Sequence, residues 1–468
     1  MQSKHSIAGF SFAALLVAVP ALSQAVDGFE IAASSYLGAA GYDDSVAGAR
    51  IQSDGTIVLA ANLGEKPRLK GETVPAGKHG CILRLSPDGK KLLSLTAIAG
   101  EVKDLALDDK DALYLAAGAD GFLKLSPKAD KTLLQKPSKD CARVDAARDG
   151  HFALIADGSI CIFDPDGKEL GTAKGSNFTN DVCIDAASRT VVFCGFRNAH
   201  AFDGKKRQPV QIPYIFGLGY DGTRKWEDYN WSTDPASDRF INKPTNNMAD
   251  SRADRCSIGR DGKLYVTFQV AGGNHIFRYS PTNIMEKATL AGGDKYHQFY
   301  NSRAEHKNVF ARYEPATGAY AIGQQFCGRL ESGKASYVAT KTGEITADEA
   351  GRVYVVGVAA AGLPLSLNPD GERAPGAGDG SGGGFILVMS PDLKTRLLCT
   401  RMAGAGAPHA ADARTVGGKL RAVYGGGEMP KGMYVKDALQ PEAADEGKEK
   451  NDPKDGFFAV LAVTLPRP

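Results

Sequence analysis

Between Trp226 and His306 the sequence gathers residue types that could hold a polar ligand. Both tryptophans, Trp226 and Trp231, lie here with Tyr229, Phe240, Tyr296, Phe299 and Tyr300, as do three of the eight histidines, His275, His297 and His306. Asn274, Asp250, Arg252, Asp254, Lys295, Arg303 and Glu305 stand among them. Aromatic planes beside amides, carboxylates and a guanidinium suit a ring-shaped polar molecule such as a sugar. Its apolar body stacks while its polar groups are hydrogen-bonded. The contact residues expected are His275, His297, His306, Arg303, Trp231, Asn274 and Tyr296. A metal would need at least two imidazoles within about 2.0–2.2 Å of one point, which histidines scattered over loops rarely achieve. Ligand contact is therefore preferred to metal binding, and no metal or other cofactor is expected. The same aromatics have a plainer use, as anchors that let two long insertions pack on each other.

Compact catalytic signatures are missing. The chain has no H-E-x-x-H, no G-x-S-x-G, no phosphate-binding lysine loop and no complete EF-hand ladder. Gly378, Gly380 and Gly383 match G-x-G-x-x-G, but a strand follows where a phosphate cradle requires a helix. Asp164-Pro-Asp166-Gly167 shares a fragment with calcium loops, yet a turn after a strand needs those residues anyway. The eight cysteines form no C-x-x-C and are too scattered for a zinc module. Cys183 and Cys194 flank an expected hairpin turn near Ser188-Arg189 at equal distances, which sets them opposite each other. They are read either as a disulfide or as two buried thiols.

The elements that must position these residues are repeated strands. GCILRLSPDG (80–89), GFLKLSPKAD (121–130), GFILVMSPDL (384–393) and GFFAVLAVTL (456–465) carry one phrase, with looser copies at SICIFDPDGK (159–168) and VFARYEPATG (309–318). Apolar residues alternate, and most copies end in a Pro-Asp-Gly-like turn, the pattern of a half-buried strand entering a hairpin. A second phrase precedes them: ARIQSDGTIVLAA (49–61), LALDDKDALYLAA (105–117), RVDAARDGHFALIA (143–156), CSIGRDGKLYVTF (256–268) and ITADEAGRVYVVG (345–357). A third follows, as LLSLTAIAG (92–100) and LLCTRMAG (397–404). Together they make a unit of four antiparallel strands, A to D, which must stack with its copies to bury both faces. Hairpins centred near Asp54, Asp111, Asp149, Ser188, Asp261, Ala350 and Gly418 predict an all-β, seven-bladed β-propeller. The final strand, 456–465, is a C strand with nothing after it, and FEIAASSYLGAAG (29–41) reads as a D strand. The N-terminal strand is therefore expected to complete the C-terminal blade, leaving no open edge.

SYLGAAGYDDSVAGARIQSDGTIVLAANLG (35–64) and GGGFILVMSPDLKTRLLCTRMAG (382–404) resemble the SBBP-type β-propeller repeats of bacterial exported proteins. That family's pattern is a Tyr-Leu-Gly-Gly strand, an Asp-rich link and a strand–Gly–strand hairpin; here Gly38-Ala39 stands for the paired glycine. The resemblance implies the fold and brings no fixed catalytic residues.

Residues 1–25 read as a secretory signal: Lys4, an apolar run from Ile7 to Val19, then Ala21-Leu22-Ser23-Gln24-Ala25 with cleavage after Ala25. Residues 26–468 form a single propeller domain with large insertions at 226–252 and 271–307. The expected compartment is periplasmic or extracellular, with no membrane span in the mature chain. Lys and Arg number 56 against 54 Asp and Glu, so a nucleic-acid partner is not indicated. B–C and D–A connections share one rim of a propeller, and the long ones gather there, where binding residues usually sit. The reading preferred is a non-catalytic recognition or scaffold protein for a carbohydrate, another polar ligand or another envelope protein. The alternative is a polysaccharide lyase or hydrolase with a His/Arg/Tyr site at the channel mouth.

Overall fold

The computed structural model describes residues 28–464, apart from 68, 70–78, 119, 177, 204–205, 244–248, 299–305, 366–380, 402–405, 430 and 446–451. Residues 1–25, expected to be a secretory signal, lie outside them. After β1 (Gly28–Leu37) come β2 (Ser45–Ile51), β3 (Ile57–Leu63), β4 (His79–Leu85) and β5 (Leu92–Ile98). Next are β6 (Asp104–Leu107), β7 (Leu113–Ala116), β8 (Phe122–Leu125) and β9 (Thr132–Lys136). A third unit has β10 (Cys141–Ala146), β11 (Phe152–Ala156), β12 (Ser159–Phe163) and β13 (Glu169–Lys174). The fourth has β14 (Thr179–Asp185), β15 (Thr190–Asp203), β16 (Lys206–Gly219) and β17 (Arg224–Tyr229). Then follow β18 (Ser251–Ile258), β19 (Leu264–Val270), β20 (Lys307–Tyr313) and β21 (Tyr320–Phe326). A small ladder of β22 (Gly328–Arg329) and β23 (Ala335–Ser336) leads into β24 (Val338–Ala339), β25 (Ile345–Ala347), β26 (Val353–Ala361), β27 (Ser381–Met389) and β28 (Arg396–Thr400). The chain closes with β29 (Ala407–Val416), β30 (Lys419–Met429) and β31 (Asp455–Thr464).

The fold is an all-β propeller, but the expected seven separate blades need correction. Five blades stand as separate sheets: β6–β9, β10–β13, β14–β17, β18–β21 and the five-stranded β24–β28. The strands assigned to the first and last blades instead make one eight-stranded sheet, in the order β1-β31-β30-β2-β3-β4-β5 with β29 on β30. The two halves meet where Ser45 pairs with Gly427. Gly425-Gly426-Gly427 explains the merger. A Cβ on Gly425 would lie 2.9 Å from Val46, and one on Gly427 would lie 3.0 Å from Ser45. Without side chains, β30 approaches β2 closely enough to pair.

Closure itself follows the sequence pattern. β1 runs antiparallel to β31 from Gly28 opposite Thr464 to Leu37 opposite Gly456. Turn chemistry is repeated too. In the β4–β5, β8–β9 and β27–β28 turns, Ser86, Ser126 and Ser390 each donate to an aspartate two to four residues on. Asp164 Oδ1 accepts from the Asp166 and Lys168 N–H groups, which is the turn use expected of that Asp-x-Asp-Gly fragment.

Cys183 and Cys194 are not opposite each other. Cys183 pairs with Val192 and Cys194 with Asp181. The turn occupies Ala186–Arg189, one position earlier than expected at its centre, and moving the centre by one shifts the register by two. They are diagonal neighbours on one face, and all eight cysteines are free thiols. Trp226 also differs from its expected place in an insertion: it lies on β17, and its Nε1 donates to Pro315 O at 3.0 Å.

Deleting residues up to Gly41 removes β1 and opens the sheet that joins the ends. We predict that such a chain, compared with one starting at Gly28, loses its cooperative thermal transition or melts at least about 10 °C lower. An unchanged melting curve would show that β1 is not part of the closure.

Candidate functional site

The innermost strands β2, β6, β10, β14, β18, β25 and β29 follow one another around a central channel. Adjacent inner strands share no continuous ladder, so their backbone donors on the channel side need other partners. Carboxylates supply them. Asp104 accepts from Val144 N at 3.2 Å, Asp145 from Ile184 N at 2.9 Å, and Asp181 from Cys256 N at 3.0 Å. Glu344 accepts from Ala411 N, and Asp412 from Ile51 N, each at 2.8 Å. Each acid thus bonds the backbone of the next strand around the ring. β-Bulges help aim the charged groups inward: the register shifts just before Arg143, Asp181 and Arg255, and again around His409.

The arginines alternate with these acids. Arg50 pairs with Glu344 at 2.8 Å. Arg143 sits 4.0 Å from Asp104 and 3.9 Å from Asp181. Arg255 donates to Gly343 O at 2.8 Å. At the rim formed by the A–B turns, Arg260 reaches across to Asp412 at 2.6 Å and to Ala413 O at 2.8 Å. Arg148 donates in turn to Arg260 O at 2.8 Å. Between these groups lies a cavity of about 160 Å³.

Confinement shapes the titration of its walls. Burial pushes Asp145 up to about 7 despite the Ile184 N–H and the charge of Arg50. Burial also raises Asp181 and Glu344, against the pull of neighbouring arginines. His409 is pushed down to about 4 by burial, with Arg255 and Arg143 adding to the effect.

The residues expected from sequence lie elsewhere and fall into separate packing environments. Trp231 is wholly buried between the β14–β17 and β18–β21 blades, edge-on to Tyr229 at 6.1 Å and covered by Arg239 at 4.8 Å. His275 is fully buried 6.0 Å from the Phe277 ring, and burial, reinforced by Arg278, lowers it to about 3. His297 is buried against another cluster, with Nδ1 2.7 Å from Gln325 O and Nε2 3.3 Å from Arg396. Tyr296 packs on the edge of that second cluster under Arg396 and Lys295. His306 is half-buried, 5.7 Å from the Tyr337 ring, whereas Asn274 is exposed. Arg303 lies outside the described residues.

The channel was not singled out in the sequence, although its signal is there. Each inner-strand phrase carries a charge inside or beside an otherwise apolar run: Arg50, Asp104, Arg143, Asp145, Asp181, Arg255, Glu344 and Asp412. Among the described residues no group of three His, Cys, Asp or Glu is arranged to hold a metal. No helix there is long and apolar enough to cross a membrane.

No family model and no curated protein matches the sequence. Among solved structures, the chain is similar to that of U3-55K, at 11% identity and a TM-score of 0.48, over 92% of this chain and 99% of that one. It is also similar to the WD40 β-propeller domain of Doa1, at 9% identity and a TM-score of 0.45, over 93% and 97%. Likeness of this degree says nothing of ligand or activity. The propeller is defined by its own sheets.

Two outcomes follow from the burial. Trp231→Ala should cost about 3–5 kcal/mol of stability, as for other large-to-small core changes, measured by denaturant unfolding. A change below about 1 kcal/mol would place the indole at the surface. For Asp145 the folded pKa, about 7, exceeds the ordinary 3.8. Its contribution is therefore fully present below about pH 4 and lost as pH rises through about 7. Asp145→Asn keeps an acceptor for Ile184 N–H, so it should gain on the wild type between about pH 5 and about pH 8, by a few degrees in Tm. A Tm difference that stays constant with pH would contradict the raised value.

Proposed function

We propose that this chain is an exported, non-catalytic recognition or scaffold protein acting through its loop-bearing rim. The β17–β18 and β19–β20 connections, residues 230–250 and 271–306, leave the propeller on the same rim. Their described parts are built as a firm platform: Trp231, Ile241, Ile276, Phe277 and Ile284 share one core cluster with β15, β16 and β19. The observation that carries the non-catalytic reading is the state of the rim imidazoles. His275 and His297 are buried and held toward the neutral form, which suits packing rather than proton transfer at neutral pH. A carbohydrate is the ligand class we assign, through the partly exposed Tyr296.

Purified protein starting at Val26 should retain one or more members of a polysaccharide panel without releasing reducing or unsaturated ends. Tyr296→Ala should weaken that retention at least about tenfold, or about 1.4 kcal/mol, with an unchanged melting temperature. Product release would favour the lyase or hydrolase alternative. No retention would leave a protein scaffold as the reading and remove the carbohydrate. Export is tested separately: the N-terminus of the protein recovered outside the cytoplasm should be Val26.

A further inference from the structure

The channel cavity lies toward the A–B rim, away from the loops just described, and its walls carry both charge signs. Among the described residues, Arg143 makes one long hydrogen bond, from Nε to Asn180 O at 3.3 Å, and its carboxylate neighbours stand off at 3.9–4.0 Å. Arg143 lines the cavity, with Nη1 4.0 Å from Asp104 and no hydrogen bond from either Nη among the described residues. Arg255 spends Nε on Gly343 O and Nη1 on Asn180 O at 3.4 Å, leaving Nη2. Asp145 accepts from Ile184 N on Oδ2 and its carboxylate also draws on the Ala146 N–H, and it keeps lone pairs beyond these two. His409 lines the same space and makes no hydrogen bond among the described residues. Guanidinium donors and a carboxylate with spare capacity therefore meet in one cavity.

Charge decides the class of occupant. Arg50, Arg143 and Arg255 face Asp104, Asp145, Asp181 and Glu344. A free anion would be repelled by the acids and a free cation by the guanidinium groups, whereas a molecule carrying both charges is matched by both. Size narrows it further. A cavity near 150 Å³ holds a ligand of about six non-hydrogen atoms, and this one measures about 160 Å³. Arg143 and Asp145 are two residues apart on β10 and face the same side, about 6.6 Å apart along the strand. That spacing lets one molecule's carboxylate and ammonium reach both.

We propose that the channel cavity is a binding site for a small zwitterion of the size of alanine or serine, its carboxylate held by Arg143 and Arg255 and its ammonium by Asp145. Guanidinium donors match a carboxylate in planar, bidentate fashion. Arg260, spanning the channel at the A–B rim, forms the outer wall of the site.

Titration calorimetry of the full mature protein at about pH 8, above the titration of Asp145, with L-alanine and L-serine tests this, with acetate and methylammonium as single-charge probes. Saturable one-to-one binding is expected for the amino acids, and at least tenfold weaker binding for either ion. Arg143→Gln should weaken alanine at least tenfold. His409→Phe touches no hydrogen bond, fills the cavity and should abolish binding while leaving the melting temperature near that of the wild type. The proposal is overturned by any of three results: no saturation with either amino acid up to about 10 mM, acetate binding as tightly as alanine, or undiminished binding in folded His409→Phe. Because these variants lie away from the loop-bearing rim, polysaccharide retention should be unchanged in them. Failure there and failure here are thus read separately.

Discussion

Every propeller must hold its inner strands together without a backbone ladder between them, and here that demand falls on carboxylates. A strand whose outward edge pairs within its own sheet still presents N–H groups toward its neighbour around the ring. An unpaired buried donor costs on the order of 1–3 kcal/mol. Asp104, Asp145, Asp181, Glu344 and Asp412 each supply one acceptor to the following strand. Charged acceptors make stronger bonds than neutral ones, but five acids around a narrow channel would repel one another. Arg50, Arg143, Arg255 and Arg260 offset that repulsion, and the alternation of sign follows from the need to satisfy backbone. Other junctions do without an acid. Ser257 donates to Ile345 O at 2.6 Å, and the Asn62 side chain makes both bonds to Val102 at 2.8 Å.

The closure solves a related problem at the ends. β1 supplies the outer strand of the last unit, so the N-terminal and C-terminal segments stabilise each other through a ladder running from Gly28 to Leu37. The glycine run on β30 then lets the closing sheet fuse with β2. Fusion at this point stiffens the one place where the ring depends on chain ends rather than on a covalent connection. Asp455 and Asp44 sit at the same junction, both buried, with Asp44 accepting from Ala39 and Gly64 N–H groups.

Much of this was legible because strand period and turn chemistry are local. The Pro-Asp-Gly turns, the apolar second strand of each unit and the lone final strand are visible as short phrases, and all lie where the pattern put them. Sheet count was harder, since it depends on the approach of β2 to β30, which are distant in sequence; the glycine run at 425–427 was the only hint. The pairing of Cys183 failed for a different reason. A four-residue turn and a shorter one look alike in composition, and one residue moves every partner by two. The aromatic loops misled because tryptophan and histidine are common to ligand sites and to small cores. Burial separates those uses, and burial is a tertiary property: Trp231 lies under Arg239 in a core cluster that it shares with Val266, Phe268 and Ile276 of the next blade.

The two ends of the channel are consequently different kinds of surface. At the loop-bearing rim, the described parts of the long connections spend most of their aromatics on internal contacts, so recognition there must use what remains at the edges. Inside the channel the reverse holds. The charged groups cannot be withdrawn into a core, because their first task is to bond the backbone of the next strand, and that task fixes them facing a shared space. A carboxylate has two oxygens and a guanidinium five donors, so each keeps capacity after the structural bond is made. The spare capacity is already oriented by the scaffold, which lowers the ordering cost that binding would otherwise carry. A ring held together by polar groups on its inner wall therefore carries a preorganised polar cavity as a consequence of how it folds.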